Sequence, residues 1–194
     1  MPLNLELGGP VTGFETSESE TTTLAINGGS PTTDGSVDYS TDSVIGIKSV
    51  RLIWAGTTST SIPISISTTF DTPVDASSAS ALLFWLKPIN DDSAVAFYRS
   101  WYRLTQMHWT IRVTDDAANY IERPAAEIPV KLKSGAWSPV YVSLSDFEEG
   151  QEDPTDMTSI ETISISVELV NPDSESTIIH PYVQLLLDNL WTAT

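Results

Sequence analysis

The chain has 194 residues, with 9 Lys and Arg against 26 Asp and Glu, a formal net charge of −17 and no cysteine. So acidic a chain repels phosphate groups, which makes nucleic acid and anionic membranes poor partners. The lack of cysteine excludes disulfides, thiolate metal sites and cysteine nucleophiles. The length suits one sizeable domain, and no apolar stretch approaches the roughly 18 residues of a membrane helix.

The N-terminal segment has the alternation of a strand, with Leu3, Leu5 and Leu7 separated by polar residues. It has neither the basic segment nor the apolar core of a secretory signal. We predict an N-terminal arm over residues 1–10 and a single domain over residues 11–194. In an assembly, such an arm can dock by adding a strand to a neighbour's sheet.

Apolar and polar residues alternate with a period of two through most of the chain, whereas no window has the spacing of an amphipathic helix. Residues 27–42 and 148–154 are polar connections, and residues 156–160 can form one helical turn capped by Asp156. At least seven strands are predicted, over residues 47–54, 62–66, 82–87, 109–113, 140–144, 163–169 and 182–191. This number indicates an all-β fold, a single-domain β-sandwich of two antiparallel sheets.

The tryptophans divide into two groups. Because burial of large rings stabilises a β-sandwich, we expect a core position for four of them, namely Trp54, Trp85, Trp109 and Trp137. The strand around Trp109 is apolar on one face and carries His108, Thr110 and Arg112 on the other. His108 is therefore expected to face solvent or a groove.

One stretch before that strand is rich in aromatic and basic side chains: Tyr98, Arg99, Trp101, Tyr102 and Arg103. Sugars stack their C–H faces on aromatic rings, and their hydroxyls hydrogen-bond to planar polar groups. The stretch is therefore predicted to line a ligand or partner surface beside the concave sheet. The alternative is that the rings fill the core and the arginines pair with the abundant carboxylates.

Catalytic signatures are missing from the sequence. His108 and His180 lie in no metal-ligand spacing, and there is no nucleophile elbow or phosphate-binding loop. With 26 acidic residues, a pair of carboxylates suited to glycoside hydrolysis is expected by chance. We expect the protein not to be an enzyme.

Several segments in order carry a family resemblance. They are Gly13-Phe14-Glu15, residues 46–52, 73–77, 81–87, 109–115 and 137–147, and the closing Leu187-Asp188-Asn189. Together they resemble the carbohydrate-binding modules of jelly-roll, galactose-binding-like architecture, including those appended to glycoside hydrolases.

The resemblance implies a jelly roll with a structural Ca²⁺ site. By position, its ligands would be the carboxylates of Glu15 and Asp188 with a main-chain carbonyl near Lys48. Calcium takes six to eight oxygen ligands, so this set is chemically suitable. The alternative is that Glu15 caps a turn and Asp188 faces solvent at a strand end.

Two functions remain open at this point. The first is a non-catalytic structural or adhesive module at a virion surface: a phage capsid decoration or cement protein, or a tail-associated protein. Its partners would be capsid or tail proteins, with glycans as a further ligand. The second is an extracellular glycan-binding module of a polysaccharide-degrading system. The start at Met1 without a signal sequence favours the first.

Overall fold

The structure is a computed structural model of the chain, and it describes residues 7–12, 20–26, 35–44, 48–57, 64–89, 107–127, 135–169 and 179–193. These residues form twelve strands and one short 3-10 turn over Leu144–Asp146. The strands are β1 (Leu7–Thr12), β2 (Glu20–Ile26), β3 (Gly35–Ser40), β4 (Ser49–Thr57), β5 (Ile64–Val74), β6 (Ala81–Ile89), β7 (Met107–Asp115), β8 (Tyr120–Glu127), β9 (Ser138–Ser143), β10 (Glu148–Glu149), β11 (Ile160–Leu169) and β12 (Ile179–Ala193). Nothing helical in these residues has the length and apolarity needed to cross a membrane.

The strands form two six-stranded antiparallel sheets. Sheet A has the order β3-β4-β12-β6-β9, with β1 also paired to β12, and sheet B has the order β10-β8-β7-β11-β5-β2. Strands that are neighbours in a sheet are mostly distant in sequence, as in a jelly roll. The predicted all-β sandwich of two antiparallel sheets is confirmed.

The core lies between the sheets and follows from the alternation of the strands. In β5, buried Ile64 and Ile66 alternate with half-buried serines, and in β7 the buried residues are Trp109, Ile111 and Val113. Sheet A contributes a similar set from its three central strands, consisting of Val50, Leu52, Leu82, Phe84, Leu86, Leu185 and Leu187. Each side chain points opposite to its chain neighbours, so every one of these strands also presents an outer face.

Strand β12 spans 15 residues and joins the two ends of the chain. Its first part pairs with β4 from Ile179 to Leu187, and its last part pairs with β1 from Leu190 to Ala193. The first and last strands of the described residues therefore pair with each other.

Three local predictions need correction. Residues 148–149 were predicted to belong to a polar connection, but they form β10, which pairs with β8. Residues 35–40 were predicted to belong to a polar connection, but they form β3, an edge strand paired with β4. Its polar sequence is tolerated because an edge strand is paired on one side only. Residues 156–160 form a hydrogen-bonded turn and then enter β11. The carboxylate of Asp156 does cap this turn, since it accepts the N–H of Thr158 at 2.9 Å.

Candidate functional site

The outer face of sheet B is covered with hydroxyl groups. Three consecutive cross-strand rows run over β7, β11 and β5, and every side chain in them points away from the core. The rows are Thr114-Thr162-Thr69, Arg112-Ser164-Ser67 and Thr110-Ser166-Ser65. We call this surface the hydroxyl face. Apart from Arg112, every residue in these rows is a serine or a threonine.

The hydroxyls of the hydroxyl face hydrogen-bond weakly across the strands. The Oγ of Ser65 donates to the Oγ of Ser166 at 3.2 Å, and the Oγ1 atoms of Thr69 and Thr162 lie 3.3 Å apart. A hydroxyl has one donor and two acceptor positions, so it can take part in more than one hydrogen bond.

A charged and aromatic cluster borders the hydroxyl face on β7 and β8. The Nη2 and Nε of Arg112 lie 2.6 and 2.8 Å from Oε2 of Glu122. The guanidinium also lies over the Tyr120 ring, 4.0 Å from its centroid. Arg112 and Glu122 neutralise each other, so the cluster offers an aromatic ring and hydrogen-bonding groups without a net charge.

The loop after β10 fixes the position of Tyr120. The N–H of Gly150 donates to the Tyr120 carbonyl at 2.9 Å, and the Tyr120 N–H donates to Oε1 of Gln151 at 3.0 Å. A Cβ on Gly150 would overlap the Tyr120 ring, so only glycine fits there without displacement. Tyr120 is thus held between Gly150 and Arg112.

Asp115, at the end of β7, fastens this loop to the β7–β8 turn. Its carboxylate is fully buried and accepts four hydrogen bonds, from the N–H groups of Ala117, Asn119 and Asp156 and from the Asn119 side chain, at 2.8 to 3.2 Å. Burial alone would raise the pKa of Asp115, but these hydrogen bonds prevail and hold the pKa below its ordinary value. Asp115 therefore acts as a structural anion.

His108 lies at the other end of the hydroxyl face and is half-buried, as predicted from its place opposite the apolar side of β7. Next to His108, the pairing of β7 with β8 shifts register between Trp109 and Ile111. At this shift, the buried Arg123 donates a hydrogen bond to the Trp109 carbonyl at 3.1 Å. Arg123 thereby stabilises the strand at this irregularity.

The predicted core tryptophans have different fates. Trp109 is buried and packs against Phe84, with ring centroids 6.0 Å apart. Trp85 and Trp137 were predicted to be core residues, but both are only half-buried and lie on the outer side of sheet A. Trp85 follows core-facing Phe84 and so points to the opposite face. The side chain of Trp54 lies outside the described residues.

The predicted metal site is described only in part. Asp188 is fully buried in the middle of β12, so it does not face solvent, and its Oδ2 accepts the N–H of Val44 at 2.5 Å. Lys48 is half-buried, with Nζ 5.3 Å from the centroid of the Tyr39 ring. Glu15 lies outside the described residues. Among the described residues no three His, Asp or Glu side chains come together, and a buried carboxylate alone does not make a calcium site. The calcium site stays a prediction.

The other predicted site residues fall mostly outside the described part of the chain. Tyr98, Arg99, Trp101, Tyr102 and Arg103 all do; in sequence they precede β7, which carries the hydroxyl face. Their role stays a prediction.

The docking arm is described only at its end. Leu3 and Leu5 lie outside the described residues, whereas Leu7 begins β1 and pairs with Ala193 of the same chain. Docking by the arm stays a prediction, although β1 already belongs to the protein's own sheet.

The described site contains residues that the sequence did not single out. Tyr120, Glu122 and Gly150 meet only because β8 pairs with both β7 and β10. The local signal available was the Asp-Asp-Ala-Ala-Asn run at residues 115–119, which is typical of a turn between two strands.

Comparison with solved structures identifies the fold. A family 11 carbohydrate-binding module from Clostridium thermocellum, solved in complex with a β-1,3-1,4-mixed-linked tetrasaccharide, is 12% identical with a TM-score of 0.51, and the match covers 94% of this chain and 93% of that one. The family 11 module of a cellulosomal cellulase from the same organism is 11% identical with a TM-score of 0.50, covering 100% and 97% of the two chains. A β-1,2-glucanase from Parabacteroides distasonis is 12% identical with a TM-score of 0.51, and the match covers 90% of this chain but 23% of the enzyme. No protein-family model and no curated protein matches the sequence.

These matches define the class of fold. The chain has the jelly-roll sandwich of carbohydrate-binding modules, and the predicted resemblance is confirmed at that level. The two modules match over nearly their whole length, whereas the enzyme matches over a small part of its chain.

Proposed function

We propose that this chain is a non-catalytic glycan-binding module that binds an uncharged oligosaccharide on the hydroxyl face of sheet B. The observation that carries the proposal is the combination of this face with Tyr120, held in place beside it by Gly150 and Arg112. The shared fold with modules that bind oligosaccharides supports it.

The chemistry of the face suits sugar better than a charged or an apolar partner. Hydroxyl groups exchange hydrogen bonds with sugar hydroxyls in either direction, because both are donors and acceptors. The part of the Tyr120 ring that Arg112 and Gly150 leave uncovered can contact the C–H groups of a sugar, and the paired Arg112 and Glu122 can hydrogen-bond to its hydroxyls. A flat apolar partner would instead leave the serines and threonines without hydrogen bonds.

The test is calorimetric titration with the β-1,3-1,4-mixed-linked tetrasaccharide on the full chain. Tyr120→Ala is expected to weaken binding about tenfold, which corresponds to ~1.4 kcal/mol and to the loss of one ring contact. Gly150→Ala, which leaves the ring present but displaces it, is expected to weaken binding in the same direction. The matched control is Tyr39→Ala, which removes a tyrosine that is 37% exposed on edge strand β3 of sheet A.

Unchanged affinity in Tyr120→Ala, with heat of binding in the wild type, would contradict the assignment of the face. Absence of binding to the tetrasaccharide and to a wider set of β-glucan oligosaccharides would contradict the glycan-binding function itself.

The virion role predicted from the sequence stays a prediction, and the matched structures give it no support. A glycan-binding module and a virion protein differ in what they purify with. Co-sedimentation of the tagged chain with phage particles, in the absence of glycan, would favour the virion role. The non-enzymatic character is part of the proposal, and the support for it is that the two matched modules cover nearly the whole chain.

A further inference from the structure

The outer face of sheet A differs from the hydroxyl face because it carries aromatic rings. Along β6 and β9, Leu83 lies opposite Tyr141, and Trp85 lies opposite Pro139. All four point away from the core, since the intervening Leu82, Phe84, Val140 and Val142 are buried in it. Tyr141 is 44% exposed and Trp85 is half-buried.

A third ring extends this surface beyond the start of β9. Trp137 lies beside Lys87, whose Nζ is 5.8 Å from the centroid of the indole ring. Lys87 also pairs with Asp42 at 2.5 Å, and the indole Nε1 donates to the other oxygen of Asp42 at 3.4 Å. Trp137, Trp85 and Tyr141 together form what we call the aromatic row. From Trp137 to Tyr141 it covers four residues of strand, or about 13 Å.

The chain covers the centre of this sheet but leaves the aromatic row at its side. Leu186 and Asp188 of β12 are fully buried on the outer face, and residues 41–44, which follow β3, cover Asp188, whose Oδ2 accepts the N–H of Val44. Asp42 belongs to this cover and reaches the row, where its side chain is 46% exposed. The row therefore lies on β6, on edge strand β9 and just before it, beside this cover.

Charge and shape select the ligand. Although the chain has a net charge of −17, the charged groups at the row, Lys87 and Asp42, neutralise each other. The row therefore attracts neither an anion nor a cation through a net local charge. It offers aromatic faces with a carboxylate and an ammonium at one end, the combination that binds a ring with apolar faces and a polar rim.

We propose that the aromatic row is a second glycan-binding surface, which takes the sugar rings of an uncharged polysaccharide chain. The inference shares its ligand class with the proposed function but uses none of the residues of the hydroxyl face. Because the two surfaces lie on opposite sides of the sandwich, one molecule can hold two polysaccharide chains together. Addition of a second copy through β9 is less suitable, because Pro139 removes one main-chain donor from that edge.

The test compares polymer and oligosaccharide binding by the full chain. Gel retardation is measured with β-1,3-1,4-mixed-linked glucan, β-1,2-glucan and soluble xylan, and calorimetry with the mixed-linked tetrasaccharide. Tyr141→Ala is the principal variant because its side chain is exposed, and Trp137→Ala is the second. Each is expected to weaken polymer retardation about three- to tenfold, the loss expected for one ring contact, while the tetrasaccharide affinity stays as in the wild type. Tyr39→Ala serves as the control, and thermal melts show that each variant is folded.

The outcomes separate this inference from the proposed function. If Tyr120→Ala loses the tetrasaccharide while Tyr141→Ala and Trp137→Ala are retarded like the wild type, the hydroxyl face stands and the second surface is refuted. If the aromatic variants lose polymer binding while Tyr120→Ala keeps the wild-type affinity for the tetrasaccharide, the second surface stands and the hydroxyl face is refuted. The inference is also overturned if no polymer retards the wild type, or if sedimentation shows a wild-type dimer that Tyr141→Ala dissociates.

Discussion

Replacement of Asp115 by asparagine tests how the candidate site is held together. The change preserves the shape of the side chain but turns one acceptor oxygen into an NH₂ group that faces main-chain donors. In the wild type, each oxygen of the Asp115 carboxylate accepts two hydrogen bonds. Each buried donor left without an acceptor costs about 1–3 kcal/mol, so Asp115→Asn is expected to destabilise the fold by about 2–4 kcal/mol.

This loss is large against a total stability of about 5–15 kcal/mol. For a domain of this size it corresponds to a fall in the melting temperature of about 6–12 °C. Differential scanning calorimetry at pH 7 measures it directly. Asp116→Asn is the matched control, because Asp116 is the neighbouring residue and its side chain is exposed.

The pH dependence gives an independent signature. The pKa of Asp115 is lower in the folded than in the unfolded chain, so its ionised form stabilises the fold fully above the ordinary value near 3.8. That contribution is lost as the pH falls through the folded-state pKa. Below about pH 4 the stability of the wild type should therefore approach that of Asp115→Asn. Equal melting temperatures of Asp115→Asn and Asp116→Asn at pH 7, or a constant difference down to pH 2, would refute the reasoning.

Two further predictions concern the β7–β8 turn and the predicted calcium site. Ala118 has a φ of +67°, a conformation that costs an L-residue about 1–2 kcal/mol. Glycine avoids this cost, but its greater freedom in the unfolded chain costs about 0.4–1 kcal/mol of stability. Ala118→Gly is therefore expected to raise the melting temperature slightly in calorimetry, and a clear fall would contradict this prediction. If Glu15 and Asp188 hold calcium, EDTA is expected to lower the melting temperature of the wild type but not of Glu15→Gln, with Ca²⁺ and not Mg²⁺ restoring it; an unchanged wild-type melt, together with no calcium by mass spectrometry, would rule the metal out.

The period-two pattern was sufficient to predict the fold class because it records which side chains are buried. Ile163, Ile165 and Val167 alternate with hydroxyl residues, and all three are in the core. The pattern failed for β3, which pairs with the next strand β4 although its own residues are mostly polar.

The core position predicted for Trp85, on the outer face of β6, was wrong. Residues 82–86 are apolar on both faces, which is typical of a strand covered on both sides. The structure covers both faces of β12, at Leu186 and Asp188, but leaves Trp85 on the neighbouring strand half-exposed. Residues 41–44 contribute to this difference, because the N–H of Val44 binds the carboxylate of Asp188, and no local sequence signal specifies that contact.

The two outer faces also show why the net charge of the chain says little about the ligand of either surface. A net charge of −17 favours interpretations based on cations or charged partners. On each candidate surface, however, the charged groups are paired with each other: Arg112 with Glu122 on sheet B, and Lys87 with Asp42 on sheet A. Pairing at such short range removes the local field, so a ligand at either surface meets rings and hydroxyls more than charge. If the proposed function is correct, recognition depends on groups that suit an uncharged, hydroxyl-rich polymer and not on the excess of carboxylates.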